Sequence, residues 1–208
     1  SLVYLIATRG IPSIDRRDLR TCNNRFIAIA YPFRWHLPLE QMETGAHVVI
    51  SSVLRIPPES VDPTIKNFNR LDFSRALFEA YNQGSEYPLL LDHEGNVTEG
   101  PSVNVFALFG GKLVSPERGA LEGMTCRTVM ELCDKTNVKA EFGIIKADDL
   151  RAADEAFLTS SAGGIMPITK VDDKVIGNGS PGPLTLRLKD LYWALHDEPK
   201  YSAPVAYD

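Results

Sequence analysis

Hydrophobic and polar positions follow two periods along the chain, and together they predict strands interleaved with helices. Apolar or alternating runs predict strands over residues 2–7, 25–31, 47–55, 87–91, 103–109, 138–145 and 156–159. A 3.6-residue period predicts helices over residues 71–83, 122–136, 147–152 and 183–195. Gly110-Gly111 and Asp172-Asp173 are typical of tight hairpin turns, whereas residues 15–24 and 32–44 are predicted to be irregular. The sequence shows no repeat, no low-complexity linker and no second domain boundary.

The stretch 62–69, directly before the first long helical pattern, carries the first candidate for chemistry. Pro63 fixes its own φ, and Asn67 or Asn69 is predicted to cap the helix that follows. Lys66 therefore lies at a junction before a helix with a buried face. A lysine held against an apolar core has a lowered amine pKa and becomes nucleophilic, although an exposed lysine is by far the commoner case.

Three more stretches place glycine beside polar groups. Glu99 precedes Gly100 between a predicted turn and a strand, where glycine permits close backbone approach. Gly123 and Thr125 lie at the start of a predicted helix, whose free amides can bind an anion. The small residues 160–164 follow a strand and can expose amides to a phosphate or carboxylate. Each feature alone is weak, and none matches a P-loop or a dinucleotide fingerprint.

Composition narrows the class of protein. The 208 residues are 44% hydrophobic and 24% charged, which is ordinary for a globular domain. The net charge of -5 gives no reason to expect nucleic acid or an anionic membrane as partner. No apolar run reaches membrane-spanning length. The odd number of cysteines, Cys22, Cys126 and Cys133, argues against a disulfide framework, and their spacing does not suit a metal. We therefore expect an intracellular, cytoplasmic protein, with any targeting signal upstream.

Four ordered motifs together resemble the class IV aminotransferases, the pyridoxal-phosphate enzymes of fold type IV. This group includes branched-chain and D-amino-acid aminotransferases, aminodeoxychorismate lyase and the (R)-selective amine transaminases. The resemblance extends from about Leu2 to about Tyr201. The motifs are Lys66, Thr98-Glu99-Gly100 with Asn104-Val105-Phe106, Leu121-Glu122-Gly123-Met124-Thr125-Cys126-Arg127, and Phe157-Leu158-Thr159-Ser160-Ser161-Ala162.

Among these groups the chain most resembles the (R)-selective amine transaminases. The stretches that carry this likeness include Arg55-Ile56-Pro57-Pro58 and Tyr192-Trp193-Ala194-Leu195-His196. Branched-chain enzymes have a tyrosine five residues after the lysine, contacting the phenolic oxygen of the cofactor, and this chain has Leu71 there. Arg70 stands where the amine transaminases tend to have an aromatic residue. These two departures concern the pocket wall and therefore the substrate.

The resemblance implies how the cofactor, pyridoxal 5'-phosphate, is bound. Lys66 would attach it covalently and later move the proton between the α-carbon and C4′. Glu99 would bond the pyridine nitrogen and keep it protonated, since a nearby carboxylate favours the charged form. Met124 and Thr125 would bind the phosphate through backbone amides and the threonine hydroxyl. Ser161 would add a further phosphate contact.

The resemblance also implies how the substrates, a small amine and a keto acid, are bound. Ser160 would lie beside both the cofactor and the substrate. Arg9 resembles the arginine that pairs with the carboxylate of a keto-acid acceptor, for which bidentate geometry is suitable. The backbone amides of Ser161 and Ala162 are the other candidates for binding this carboxylate. No metal is expected.

The fold implied by the resemblance is a mixed α/β (α+β) pseudo-barrel with flanking helices, the large C-terminal domain of fold type IV enzymes. We expect residues 1–208 to form this single domain without the smaller N-terminal domain of the family. The chain starts at Ser1, directly before the run 2–7, which is fit for a buried strand, so we expect a fragment. The family also implies a homodimer with the active site near its interface.

Three functions stay open on this scaffold. The first is transamination, with (R)-amine:pyruvate chemistry favoured over branched-chain or D-amino-acid chemistry. The second is an aminodeoxychorismate lyase, which would release pyruvate. The third and most distant is a non-catalytic cofactor-binding or assembly protein, which would need neither Lys66 nor Glu99.

Overall fold

The computed structural model describes residues 1–14 and 18–204, and the chain divides into two compact units, Ser1–Trp35 and His36–Asp208. The first unit is a β-hairpin in which strand β1 (Leu2–Pro12) pairs antiparallel with strand β2 (Cys22–Tyr31). Both predicted strands are thus confirmed, and both are longer than the apolar runs that predicted them. Part of the predicted irregular segment 15–24 lies outside the described residues.

The prediction that the first strand is buried is wrong. Val3 and Leu5 are 59% and 67% exposed, and Phe26 on the paired strand is 69% exposed. Within this unit the ribbon has only two strands, and a ribbon by itself provides no second layer to cover either face. An apolar run therefore indicates a strand more safely than it indicates burial.

The second unit contains one mixed eight-stranded sheet in the order β4-β3-β9-β8-β5-β6-β7, with β10 paired to β9. Its strands are β3 (Ala46–Ile50), β4 (Tyr87–Leu89), β5 (Asn104–Phe109), β6 (Lys112–Pro116), β7 (Lys139–Gly143), β8 (Glu155–Ser160), β9 (Gly164–Val171) and β10 (Lys174–Val175). Its helices are α1 (Leu39–Thr44), α2 (Leu71–Asn82), α3 (Met124–Lys135), α4 (Ala147–Arg151) and α5 (Pro183–Ala194). No helix within the described ranges has the length and apolar character needed to cross a membrane.

Three local predictions need correction. Helix α1 lies inside the segment 32–44, which was predicted to be irregular. Strand β3 ends at Ile50 and not at residue 55, because Ser51 and Ser52 hydrogen-bond the Glu79 carboxylate of α2 and the chain leaves the sheet there. The N-cap of α2 is Arg70, with no side-chain capping bond, so neither predicted asparagine caps this helix.

The core lies on both faces of the sheet. Along β5, Val105 and Ala107 pack into one hydrophobic cluster, while Phe106 and Leu108 pack into the other. This is the two-residue alternation of a strand that is covered on both sides. Phe106 stacks on Phe157 of β8, with ring centroids 5.1 Å apart.

Buried central strands hold the loops at their ends in fixed positions. In the antiparallel pair β5–β8, Asn104 lies opposite Thr159. The start of β5 and the end of β8 are therefore neighbours at one edge of the sheet. Three of the four motifs found in the sequence lead into or out of this edge.

Candidate functional site

Glu99 is a buried carboxylate held from two sides. It lies before the turn that leads into β5, and only 6% of the residue is exposed. Its Oε1 accepts hydrogen bonds from Arg55 Nε at 3.3 Å and Nη2 at 3.1 Å, and its Oε2 accepts one from the Leu121 amide at 3.0 Å. These bonds fix the plane and position of the carboxylate.

The arginine that holds Glu99 is itself held by a second buried carboxylate. Arg55 Nη1 donates to Asp72 Oδ2 at 2.6 Å. Asp72 also accepts the Ile56 amide at 3.1 Å, and its other oxygen accepts the Phe73 amide at 2.8 Å. The three charged residues are each less than a tenth exposed, so they form a closed network with almost no water access.

Burial sets the direction of the Glu99 pKa. Removal from water disfavours the charged form and raises the pKa of this carboxyl. The Leu121 amide and the Arg55 guanidinium act in the opposite sense, and Arg70 adds a weaker effect of the same sign as theirs. An additional cation against Glu99 would lower this raised pKa.

Neither Arg55 nor Asp72 was assigned a role in the site from the sequence. A signal for Asp72 was present, because it precedes Phe73 on the face of α2 that also buries Ala76 and Ala80. A carboxylate on a buried helical face needs a partner. Nothing in the sequence indicated that this partner was Arg55.

The start of α3 lies directly beyond the Leu121 contact. Gly123 caps the helix with no side-chain bond. A Cβ atom on Gly123 would lie 2.5 Å from Asn104 Oδ1, so a larger residue there would displace the Asn104 side chain from its bond to the Leu121 carbonyl. Thr125 is buried and its Oγ1 lies 3.4 Å from Tyr192 Oη, whereas the Met124 side chain is 69% exposed. Free amides and a hydroxyl at this helix start suit an anion.

The turn 160–164 approaches the same tyrosine. Gly164 has φ +63, and a Cβ there would lie 2.9 Å from the Tyr192 ring. Ser160 is buried and its Oγ lies 3.4 Å from the Ala162 amide, while Ser161 is exposed. Tyr192 therefore touches both predicted anion-binding segments, and it was not assigned a role from the sequence.

A buried hydroxyl at the end of β8 lacks a partner. Thr159 is 1% exposed, and its Oγ1 accepts and donates no hydrogen bond among the described residues. Buried hydroxyls are nearly always bonded. This hydroxyl lies one residue before Ser160 and has hydrogen-bonding capacity that the described residues do not use.

Lys66 precedes α2 in a loop that is organised by its own side chains. Asp62 accepts bonds from the Thr64 amide and hydroxyl, and Asn67 Nδ2 donates to the Ile65 carbonyl at 2.8 Å. The side chain of Lys66 is exposed. The structure therefore shows the commoner case of an exposed lysine and not a lysine held against an apolar core, because the core-facing residues of this segment come later, in α2.

His36 connects the lysine with the turn after β8. The His36 amide donates to the Ala162 carbonyl at 3.1 Å. Burial, followed by the nearby charges of Arg70 and Lys66, lowers the pKa of the His36 imidazole. The lysine is thus within electrostatic reach of the residue that contacts Ala162, and His36 was another residue that the sequence did not single out.

Arg9 belongs to the first unit. It is exposed in β1 and its Nη2 donates to the Leu19 carbonyl at 2.6 Å. The strand continues past it to Pro12, with a register irregularity between Thr8 and Ile11. Its proposed contact with a keto acid stays a prediction.

Solved structures with the same fold define the class of protein. The chain aligns with a branched-chain amino acid aminotransferase from Thermoproteus uzoniensis, solved with norvaline, at a TM-score of 0.85 and 28% identity, over 96% of this chain and 66% of that one. A second enzyme of that name, solved with pyridoxamine 5'-phosphate, aligns at a TM-score of 0.87 and 28% identity, over 96% of this chain and 67% of that one. The mixed α/β (α+β) pseudo-barrel with flanking helices is therefore confirmed. The chain belongs to the amino-transferase class IV family, whose model matches residues 2–171.

The names of curated relatives fit this family. A Methanocaldococcus jannaschii protein named "Putative branched-chain-amino-acid aminotransferase" is 31% identical over 193 residues, which cover 91% of this chain and 65% of that protein. The branched-chain-amino-acid aminotransferase of Pseudomonas aeruginosa is 33% identical over 171 residues, covering 81% of this chain and 56% of that enzyme. The chain thus spans less than two thirds of the length of these relatives.

Proposed function

We propose that the protein containing this chain is a pyridoxal-phosphate-dependent aminotransferase, which moves an amino group from an amine or amino acid to a keto acid. The observation that carries the proposal is the Glu99 carboxylate, held rigidly by Arg55 and Leu121 in a buried site. Membership of the class IV family supports it. So do solved neighbours described in complex with pyridoxamine 5'-phosphate or in the PLP form.

The residues present suit this cofactor. Glu99 would face the pyridine nitrogen, where its charge stabilises the protonated ring. The amides at Met124 and the Thr125 hydroxyl would hold the phosphate, with Ser160 and Ser161 from the neighbouring turn. The unpartnered Thr159 hydroxyl supports a polar ligand at this edge of the sheet. When bound, the cofactor supplies an electron sink for the carbanion formed at the substrate.

Lys66 would carry the reactive amine and act as the acid and base of the reaction. An exposed position on a loop leaves this amine free to reach a ligand. After substrate binding, the same amine would accept the proton from the substrate α-carbon and return it to C4′, on the other side of the intervening nitrogen. A single group moving a proton over so short a distance needs no second base.

Two substrate classes remain within the proposal. The names of the relatives and neighbours support a branched-chain amino acid and its keto acid. An (R)-amine with pyruvate is the second candidate, supported by Leu71 in place of the tyrosine expected of branched-chain enzymes. Arg9 and the amides at Ser161 and Ala162 stay proposed contacts of the substrate carboxylate.

The homodimer, the cytoplasmic location and the single large domain over residues 1–208 remain parts of the proposal. All three cysteines are free, which is compatible with a reducing compartment.

Chemical trapping tests the central assignment. Borohydride reduction of the full-length protein with bound cofactor, followed by peptide mapping, should place the label on Lys66. Lys66→Ala should lose the label and steady turnover, because attachment and proton transfer are lost together. Lys112→Ala is the matched control, since Lys112 pairs with Glu141 at the surface of the sheet. A label on any other lysine would contradict the assignment.

A further inference from the structure

Arg70 is a half-buried arginine at the candidate site, and none of the roles above uses it. It is the N-cap residue of α2, four residues after Lys66. Its Nη2 donates to Ser102 Oγ at 2.7 Å, and its guanidinium carbon lies 5.2 Å from the centre of the Phe73 ring. The Arg55 guanidinium lies over the same ring at 4.2 Å. Arg70 is therefore a neighbour of the network that holds Glu99.

The charges of this region do not cancel at Arg70. Arg55 and Asp72 form one buried ion pair. In the proposed function, Glu99 pairs with the protonated pyridine nitrogen and Lys66 is covalently attached. Within the part of the chain that the structure describes, Arg70 has no carboxylate within salt-bridge distance; its contacts there are with a hydroxyl and an aromatic ring. Among the described residues, the positive charge of Arg70 is thus not balanced by a carboxylate in direct contact with it.

The partner of Arg70 is held in an unusual conformation. Ser102 has φ 66, in the left-handed region that a non-glycine residue rarely adopts. It lies in the turn between Gly100 and Val103, three residues after Glu99. The turn thereby directs the Ser102 hydroxyl to Arg70 from the same segment that supplies Glu99. One of the five guanidinium N–H groups is used in this contact, and the rest of the fork stays available.

We propose that Arg70 binds a carboxylate of the substrate and so makes the site selective for amino acids and keto acids over simple amines. The inference rests on the proposed function. A guanidinium is suited to a carboxylate because its two parallel N–H groups match the two oxygens. The Ser102 bond and the Phe73 ring restrict the side chain before a ligand arrives, which reduces the entropy lost on binding.

The main alternative partner for the Arg70 guanidinium is the phenolic oxygen of the cofactor. A guanidinium on that oxygen would change the absorbance spectrum of the bound cofactor and its pH dependence. A guanidinium on the substrate carboxylate would leave the spectrum of the ligand-free holoenzyme unchanged. The two assignments are therefore separable by spectroscopy.

The test uses the full-length holoprotein with two probes of matched carbon chain. 4-Methylvalerate carries a carboxylate and no amine, and 3-methylbutylamine carries an amine and no carboxylate. Calorimetry measures 4-methylvalerate binding, and stopped-flow absorbance measures the half-reaction with the amine. The variants are Arg70→Gln, Arg70→Lys and, as matched control, Arg75→Gln, which removes an exposed arginine from the same helix.

Arg70→Gln should weaken 4-methylvalerate binding by roughly 10- to 100-fold, the loss expected for a hydrogen bond to a charged group. Arg70→Lys should lose less, because it keeps the charge without the fork. The amine half-reaction, the spectrum and the Arg75→Gln variant should be unchanged. Unchanged 4-methylvalerate affinity in Arg70→Gln would overturn the inference, as would an equal loss in the amine half-reaction.

Three further results have defined meanings. An altered ligand-free spectrum with unchanged 4-methylvalerate affinity would assign Arg70 to the cofactor and overturn the inference alone. Loss of 4-methylvalerate affinity in Arg9→Ala but not in Arg70→Gln would give the carboxylate to Arg9 and also overturn it. A wild-type protein that binds no pyridoxal phosphate would overturn the proposed function and this inference together.

Discussion

Two arginines lie over the ring of Phe73, and their surroundings differ. Arg55 is 7% exposed and donates to both Asp72 and Glu99. Arg70 is half-buried and donates to the Ser102 hydroxyl. Both guanidinium groups are charged. The charge of Arg55 is balanced by two carboxylates, whereas Arg70 contacts a hydroxyl among the described residues.

This difference suggests that Arg55 stabilises the fold and that Arg70 is available to bind a ligand. A buried charge is tolerated only with a partner, so Arg55 and its carboxylates have to be kept as a set. A partly exposed charge keeps some water and can exchange it for a ligand at lower cost. Substitutions of Arg55 should therefore act on stability, and substitutions of Arg70 should act on binding.

The largest effect is expected at Arg55. Arg55→Met would leave Asp72 and Glu99 buried without the guanidinium that both contact, and removing one partner of a buried pair costs about 3–5 kcal/mol. Urea unfolding monitored by circular dichroism measures the loss. Arg70→Met is the comparison variant and should change the free energy of unfolding by less than about 1 kcal/mol. Equal losses in the two variants would remove the distinction between the arginines.

Asp72→Asn should have the second-largest effect. The amide has nearly the shape of the carboxylate but loses its charge toward Arg55, and hydrogen bonds to charged groups contribute about 1.5–3 kcal/mol. Glu99 would then remain as the carboxylate partner of Arg55 in this network. We expect a corresponding loss in urea unfolding, with a carboxylate affinity at Arg70 that stays unchanged. Reduced 4-methylvalerate binding in Asp72→Asn would show that the two arginines are coupled.

Glu99→Gln should change the pH dependence of the free energy of unfolding and should lower the rate of turnover. Burial raises the pKa of Glu99 above its ordinary value of 4.5, so the folded protein holds this proton more tightly than the unfolded chain. In the protein without bound cofactor, the associated stabilisation is present below pH 4.5 and is lost as the pH rises through the raised pKa. Glu99→Gln lacks this loss, so its stability relative to wild type should increase with pH from 4.5 upward.

Turnover supplies the second measurement on the same variant. Glu99→Gln should keep the fold and lose a large part of the rate, since a neutral amide does not stabilise the charged ring. Unchanged turnover would show that Glu99 is not the partner of the pyridine nitrogen. A pH-independent difference in stability would instead contradict the raised pKa.

The smallest effect on stability is expected at Ser102. Ser102→Gly removes the backbone strain at φ 66 but adds freedom to the unfolded chain, so the net change should stay below about 1 kcal/mol. Ser102→Ala keeps the strain and also removes the hydroxyl. Both variants should weaken 4-methylvalerate binding a few-fold, because Arg70 loses its anchor. If only one variant weakens it, backbone conformation and not the hydroxyl orients Arg70.

Local structure was predictable where neighbours along the chain determine it. Helix α2 follows from the spacing of apolar residues on one predicted face; Phe73, Ala76 and Ala80 of that face are buried, whereas Tyr81 is 60% exposed. The hairpin between β5 and β6 follows from Gly110 and Gly111, whose φ values of 55 and 84 favour glycine. The burial of β1 was predicted wrongly because burial depends on more than neighbours along the chain. An apolar run specifies an extended strand but not the layer that would cover it.

The order of Lys66, Glu99, Thr125 and Ser161 along the sequence was sufficient to indicate the family, because each of these motifs is local. The pairing of Arg55 with Glu99 was not available in this way, since 44 residues separate them. Their contact, and the meeting of Asn104 with Thr159, depend on which strands become neighbours in the sheet. That order is decided by burying both faces of β5 and β8 at once, which is a property of the whole domain and not of any segment. The sequence by itself therefore determined the elements and the chemical groups of the site. Only the tertiary structure decided that two carboxylates balance the charge of Arg55, and that Arg70 contacts a hydroxyl among the described residues.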